Sequence, residues 1–491
     1  MLIFDHSRDE RSNKAQLPKG EMDLSDLPQA QRRSSATGLP RASEMDVVRH
    51  YTRLSQKNFA IDTHFYPLGS CTMKYNPRGA NEAAMLPGFL GRHPETPAQY
   101  SQGILSVLYE LQEMLADICG MHTVSLAPAA GAQGEYAGVA MMRAYHEAHG
   151  NHHRDEIIVP DSAHGTNPAT ASMGGFKTVE IKTKPDGDID LDSLDEALSE
   201  RTAGLMITNP STLGLFERGI KEIADKVHGA GGLLYYDGAN LNAILGKVRP
   251  GEMGFDVMHF NLHKTFSTPH GGGGPGAGSV GLSERLLPFA PVPLVAQAAD
   301  GSYYFEYEQQ RPQTIGRMTA FPANIGVLLR AYAYIRMVGR EGLERIAEHA
   351  VLNANYLMEK LRPHYQVAYP NRRAMHEFIL TLEDLAKSEA HVSAMDVAKR
   401  MLDFGVHAPT AYFPLSVPEC FLVEPTETEA KETLDHFVEV LADIRKEAET
   451  DPEIAKNAPY SLPVKRLDDV RAAKELDLTY TGEAKGPKAA S

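Results

Sequence analysis

The sequence predicts a mainly parallel α/β fold, a seven-stranded sheet followed by a smaller C-terminal α+β domain. Three observations predict it. Seven short β-rich runs fall between residues 121 and 282, most separated by helix-length or glycine-rich stretches, the alternation that builds a parallel sheet. From about residue 376 strands and helices follow in mixed order. Polar and charged residues come directly after individual runs, where parallel sheets collect their ligands.

In chain order, residues 1–90 read as an N-terminal arm. Its first part is polar, and Pro28–Ser43 has little apolar periodicity, so it needs another surface to order it. Residues 91–330 read as the large domain. It opens with a helix over 101–119, whose Ile104, Leu105, Leu108, Leu111, Leu115 and Ile118 form one core-facing stripe ended by Gly120. The strands expected after it are Thr123–Leu126, Glu156–Val159, Thr178–Ile181, Leu205–Thr208, Leu233–Tyr236, Val257–Phe260 and Ser279–Leu282. Residues 324–361 read as helical. The small domain spans 331–475, with strands at Glu377–Leu382 and Cys420–Val423 and helices at Val392–Phe404 and Glu427–Glu449; residues 476–491 read as a tail.

Composition narrows the function classes. The chain has 491 residues, 42% hydrophobic and 23% charged, and a net charge of −15, which argues against a nucleic-acid partner. No apolar run approaches the ~18 residues of a membrane span. The apolar stretch Leu2-Ile3-Phe4 is too short for a signal peptide, so a cytoplasmic location is expected. Cys71, Cys119 and Cys420 have neither disulfide-framework nor zinc spacing. His146, His149, His152 and His153 invite a metal reading, but no cysteine or acid stands at a ligand offset. They read as the polar end of a surface helix, and no metal centre is expected.

Five strand-end segments carry the chemistry. Ala129-Ala130-Gly131-Ala132-Gln133-Gly134-Glu135 places small residues between a strand and a helix that begins near Gln133. Helix-start N–H groups bind phosphate, and small side chains let it approach. His164 follows the second strand and offers a flat ring for stacking. Thr208, in Thr208-Asn209-Pro210-Ser211, offers a hydroxyl after the fourth. Asp237 closes the fifth, with Ala239 small enough to lie under a ring. Lys264 follows the sixth, with His263 and Asn261 as further donors and the glycine run 271–274 behind it. An acid that keeps a pyridine nitrogen protonated and a desolvated lysine that forms a Schiff base are what pyridoxal phosphate (PLP) requires. The order of phosphate cup, stacking histidine, polar turn, acid and lysine is that of the aspartate-aminotransferase-like PLP fold, fold type I.

Longer motifs carry a resemblance. These are 65–77 (Phe-Tyr-Pro-Leu-Gly-Ser-Cys-Thr-Met-Lys-Tyr-Asn-Pro), 131–135, 164–168, Asn261-Leu262-His263-Lys264-Thr265-Phe266, 412–415 and 424–429. Together they resemble the glycine dehydrogenase (decarboxylating), or glycine cleavage system P-protein, family over residues 45 to 475. The chain is similar to the PLP-bearing subunit 2 of its two-subunit members. The resemblance implies PLP on Lys264, decarboxylation of glycine and transfer of the aminomethyl group to the lipoyl arm of H-protein. It also implies assembly with subunit 1, two copies of each. Arg317, Arg372 and Arg373 are candidates for the glycine carboxylate, and Cys71 reads as a buried, inert thiol. The alternatives are another fold type I enzyme, such as an aminotransferase or a cysteine desulfurase, and a non-catalytic scaffold subunit.

Overall fold

The computed structural model describes residues 2–8, 23–35, 37–271 and 276–476. It comprises two compact units, Ile61–Ala458, and Met1–Ala60 with Pro459–Ser491. Residues 61–90 of the expected arm thus group with the larger unit. The expected tail, apart from Leu476, lies outside the described residues, as does 272–275 of the glycine run. In the smaller unit, Ser43 caps the helix Glu44–Ser55 by accepting from the Asp46 N–H, and Asp46 accepts in return.

The larger unit is built on a seven-stranded sheet in the order β1-β7-β6-β5-β4-β2-β3. Its strands are β1 (Thr123–Ser125), β2 (Glu156–Pro160), β3 (Lys177–Ile181), β4 (Thr202–Thr208), β5 (Leu233–Asp237), β6 (Val257–Asn261) and β7 (Gly278–Leu282). Each falls on an expected run. Only β7 runs against the rest, pairing antiparallel with both β6 and β1. Every residue of β4, β5 and β6 is buried, as befits a sheet covered on both faces. The helix Gln102–Cys119 buries Leu105, Leu108, Leu111 and Leu115 against it, each contributing about 1.5–3 kcal/mol.

One correction concerns the helix Gly131–Ala148. His146 is not at its surface end: it is buried, and its Nε2 bonds the Ala203 carbonyl at 2.8 Å. It stands four residues after the buried Met142 and so continues the sheet-facing stripe. His149, His152 and His153 are exposed.

The helix Ile325–Leu361 runs across the expected 330/331 division and bends at Gly339. Val327, Leu328 and Ala331 join the core beneath the large sheet, whereas Ala354, Leu357 and Leu361 join that of the small sheet. The small sheet is antiparallel, in the order Gln366–Val367, Phe378–Thr381, Cys420–Val423, Thr410–Ala411. Helices Ala394–Asp403 and Lys431–Thr450 pack on it. Leu68, in the 65–77 motif, bridges antiparallel to Val423, so this motif lies along the small sheet.

Candidate active site

The carboxyl ends of β1, β2, β4, β5 and β6 carry the five expected segments. Asp237 is the best-held group. Its Oδ1 accepts from the Ala239 N–H at 3.0 Å and lies 3.4 Å from His259 Nε2; its Oδ2 accepts from Asn167 Nδ2 at 3.1 Å. Burial opposes its ionisation, but His259, Asn167, the Ala239 N–H and Lys264 more than offset burial and hold the carboxyl below its ordinary range. Behind it, Tyr235 Oη meets His259 Nδ1 at 2.5 Å, and Asn167 Nδ2 also donates to Glu135 Oε1 at 3.0 Å. Burial and the nearby Asp237 push the Glu135 carboxyl up.

Lys264 is half-buried, and its Nζ donates to the Ser70 carbonyl at 2.8 Å. Its charge reaches Asp237. Next to it, burial, His270 and Lys264 push the His263 imidazole down to about 4, so this ring is neutral near pH 7. The helix Gly131–Ala148 starts without a side-chain cap. A Cβ on Gly131 would stand 2.1 Å from Asn261 Oδ1, so any larger residue there would displace the Asn261 amide. Gln133 is present as expected, but its side chain is taken: Oε1 accepts from the Ala129 N–H at 2.7 Å and Nε2 donates to the Met318 carbonyl at 2.7 Å. The Gln133 N–H is taken as well, donating to the Ala130 carbonyl at 3.1 Å, so of the two expected residues Ala132 is the one that offers its backbone N–H.

His164 is half-buried, with Nδ1 accepting from the Thr166 N–H at 3.2 Å and its ring edge-on to Phe413 at 5.4 Å. Burial pushes its imidazole down. Thr208 is buried at the end of β4. The arginine candidates are not brought to Lys264's contacts. Arg317 is engaged with Glu308 at 2.9 Å, Arg372 with Asp188 at 2.9 Å, and Arg373 is exposed. Cys71 is half-buried rather than buried; burial still raises its thiol, with Lys264 only partly offsetting it, which leaves it protonated near neutral pH.

Sequence reasoning missed a second wall, made of buried acids from the small domain. Donor atoms of His376, Glu377 and Glu424 lie within 4.8 Å of one another. Burial, then Glu424, pushes Glu377 well above the ordinary carboxylate range; burial pushes Glu424 up to about 7 and His376 down to about 3. Lys74 is buried beside them and pairs with Glu427 at 2.7 Å. Asn167, Glu135, His259 and Tyr235 were missed as well. A polar residue within a fully buried strand, as His259 is within Val-Met-His-Phe-Asn, was the available signal.

The site's residues fit PLP. Buried side-chain atoms without a partner include Asn167 Oδ1, Thr208 Oγ1, Asn261 Oδ1, His263 Nδ1, Thr265 Oγ1, Thr268 Oγ1 and His270 Nε2. Each such atom costs about 1–3 kcal/mol if left unmet. Their concentration in the strand-end segments matches a polar ligand held there. An ionised acid, an amine and an uncapped helix start are the donor set that a protonated pyridine, an aldehyde and a phosphate need.

Comparison with known proteins gives concordant matches. The aminotransferase class-V family matches residues 135–399, and the glycine dehydrogenase C-terminal domain family matches residues 346–460. The chain is 65% identical over 481 residues to the probable glycine dehydrogenase (decarboxylating) subunit 2 of Thiobacillus denitrificans, covering 98% of this chain and 99% of that one. It is 61% identical to the protein of the same description from Nitrosomonas europaea, over 98% and 99%. Among solved structures it is similar to an inhibitor-bound glycine decarboxylase (P-protein), with a TM-score of 0.71 and 22% identity over 85% of this chain and 93% of that one. A cysteine desulfurase from Thermococcus onnurineus has a TM-score of 0.60 at 17% identity, over 78% and 95%. At these identities the structures show the fold, a fold type I arrangement.

Proposed function

The chain belongs to the glycine dehydrogenase (decarboxylating) subunit 2 family, and on that premise we propose that it decarboxylates glycine with PLP carried by Lys264. The aminomethyl group passes to the lipoyl arm of H-protein and CO2 is released. Subunit 1 is the proposed partner, two copies of each chain, in the cytoplasm. No described helix is long and apolar enough to cross a membrane.

The carrying observation is the pairing of an acid held ionised, Asp237, with Lys264 at the ends of adjacent strands. Bound there, PLP supplies a conjugated cation that takes up the electron pair left when glycine's carboxylate departs as CO2. Asp237 would hold the pyridine nitrogen protonated, and His259 and Asn167 keep Asp237 charged for that role. His164, fixed through its Nδ1 by Thr166, would present its ring for stacking. Ala239 would leave room beneath. The N–H of Ala132, with Asn261 and His263, would hold the phosphate, while Gln133 would shape the turn through its own bonds to Ala129, Ala130 and Met318; Thr208 would hold the phenolic oxygen. Lys264 would accept and release protons at its Nζ, against the Ser70 carbonyl. Closing the site would exclude water from the reacting carbon.

The purified protein should be yellow, and borohydride should fix the cofactor on Lys264. Glycine-dependent CO2 exchange should require subunit 1 and H-protein. Lys264→Ala should lower it at least ~10³-fold. Full exchange by that variant would refute the mechanism, and full exchange by this chain alone would refute the two-subunit requirement.

A further inference from the structure

The segment that touches Lys264 is fastened on both sides. Towards the large sheet, Lys74 Nζ donates to the Thr265 carbonyl at 2.8 Å and Ser267 Oγ to the Tyr75 carbonyl at 2.6 Å. Asn76 Nδ2 donates to Ser267 Oγ at 3.3 Å. Towards the small sheet, the Gly69 N–H donates to the Leu422 carbonyl at 3.2 Å. A Cβ on Gly69 would meet that carbonyl oxygen at 2.5 Å, so the two backbones lie against each other.

Between these fastenings the backbone is strained. Ser70 and Thr72 have φ values of 60° and 45°, in the left-handed region that β-branched residues rarely enter. Two fully buried carboxyls hold it there. Glu377 Oε2 accepts from the Ser70 N–H at 2.7 Å. Glu424 accepts from the Thr72 N–H at 3.0 Å and from the Thr72 hydroxyl at 2.6 Å. The peptide between Ser70 and Cys71 is thereby gripped from both neighbours, and it is this peptide whose oxygen accepts from Lys264 Nζ at 2.8 Å.

We propose that Glu377 and Glu424 are positioning residues: they lock the 69–72 backbone so that the Ser70 carbonyl fixes the nitrogen of Lys264, both when it is joined to the cofactor and when it is free. The proposal rests on Lys264 as the cofactor-bearing lysine. It explains why acids from the small domain reach a loop of the large unit's beginning. A lysine that must leave and return at every turnover needs one defined resting place, and misplacement by a fraction of a bond length slows its return.

The test uses the full-length protein loaded with PLP. Glu377→Asp keeps a buried carboxyl but withdraws it by one methylene. It should move the pH midpoint of the cofactor's absorbance band by at least about half a unit. With subunit 1 and H-protein present, it should lower kcat about tenfold while leaving the glycine KM within about twofold. Glu377→Gln, which can still accept from the Ser70 N–H, should keep both close to the parent values. Thr72→Gly removes the hydroxyl that Glu424 grips and relaxes the backbone with both acids in place, so it should shift the midpoint in the same direction, and serves if Glu377→Asp does not fold. Midpoints and kcat unmoved in both variants, with only the melting temperature lowered, would overturn the proposal while the cofactor assignment stands. A stoichiometric divalent metal lost in Glu377→Gln would overturn it too, by making the carboxyls ligands. A borohydride-fixable band surviving in Lys264→Ala would instead sink the underlying reading.

Discussion

Asp237 and Glu424 are both fully enclosed and both feel the charge of Lys264, yet burial ends differently at the two. Asp237 is surrounded by Asn167 Nδ2, the Ala239 N–H and His259, and is held below its ordinary range. Glu424 also has donors in Thr72, but it shares its surroundings with Glu427 and Glu377 and is pushed up to about 7. Burial disfavours charge at both; the number of donors and of like charges nearby decides the outcome. The wall on the large sheet is built to keep a charge, and the wall on the small sheet to keep a proton.

Breaking the first wall should have the largest effect. Asp237→Ala removes the proposed ionised partner of the pyridine nitrogen, and kcat for CO2 exchange should fall by about 10²–10³-fold with the colour retained. An unchanged kcat would erase the distinction between the walls. Next is the cation of the second wall. Lys74→Met leaves Glu427 buried without its partner, at 8% side-chain exposure, and should cost about 3–5 kcal/mol in urea unfolding. Adding Glu427→Gln should return most of that loss.

Glu424 itself sharpens the contrast through pH. The unfolded chain releases this proton near the ordinary value of 4.5, whereas the folded chain keeps it until about 7. The native state binds more protons across that window, so its stability falls as pH rises through it, and the penalty is complete above pH ~7. The melting temperature of Glu424→Gln, relative to the parent, should therefore climb from pH 4.5 to 7 and then level off. A constant difference would mean that Glu424 is already ionised in the fold. The smallest effect is expected at His259. His259→Gln weakens the hold on Asp237's charge, and the acid limb of the pH–rate profile should move upward by less than about one unit.

The two walls also differed in how readily the sequence revealed them. Asp237 and Lys264 were legible because each follows a short apolar run, and a run-end in a parallel sheet is a position with a meaning. All seven strands were legible for the same reason. The reversed direction of β7 was not, since an apolar run such as Ser279-Val280-Gly281-Leu282 has no direction written in it. His259 was hidden because β6 is buried on both faces, so no alternation marks its histidine as special. His146 looked like a surface residue because three exposed histidines follow it, although its spacing from Met142 was the truer signal. Glu377 and Glu424 were out of reach. Their partners Ser70 and Thr72 lie 307 and 352 residues away, and no period or spacing connects them. The 65–77 motif identified a family without disclosing what it touches.

That separation has a consequence for how the protein is made. The ribosome delivers Ser70 and Thr72 early and their anchors 307 and 352 residues later, so at about 5–20 residues per second the 69–72 segment waits roughly 20–70 s for Glu424. Lys264 emerges within that interval, before its resting place exists. A nascent chain halted before the small domain would carry the lysine and Asp237 but leave the lysine's amine unguided. Cofactor capture during synthesis should therefore follow completion of the chain rather than emergence of the lysine.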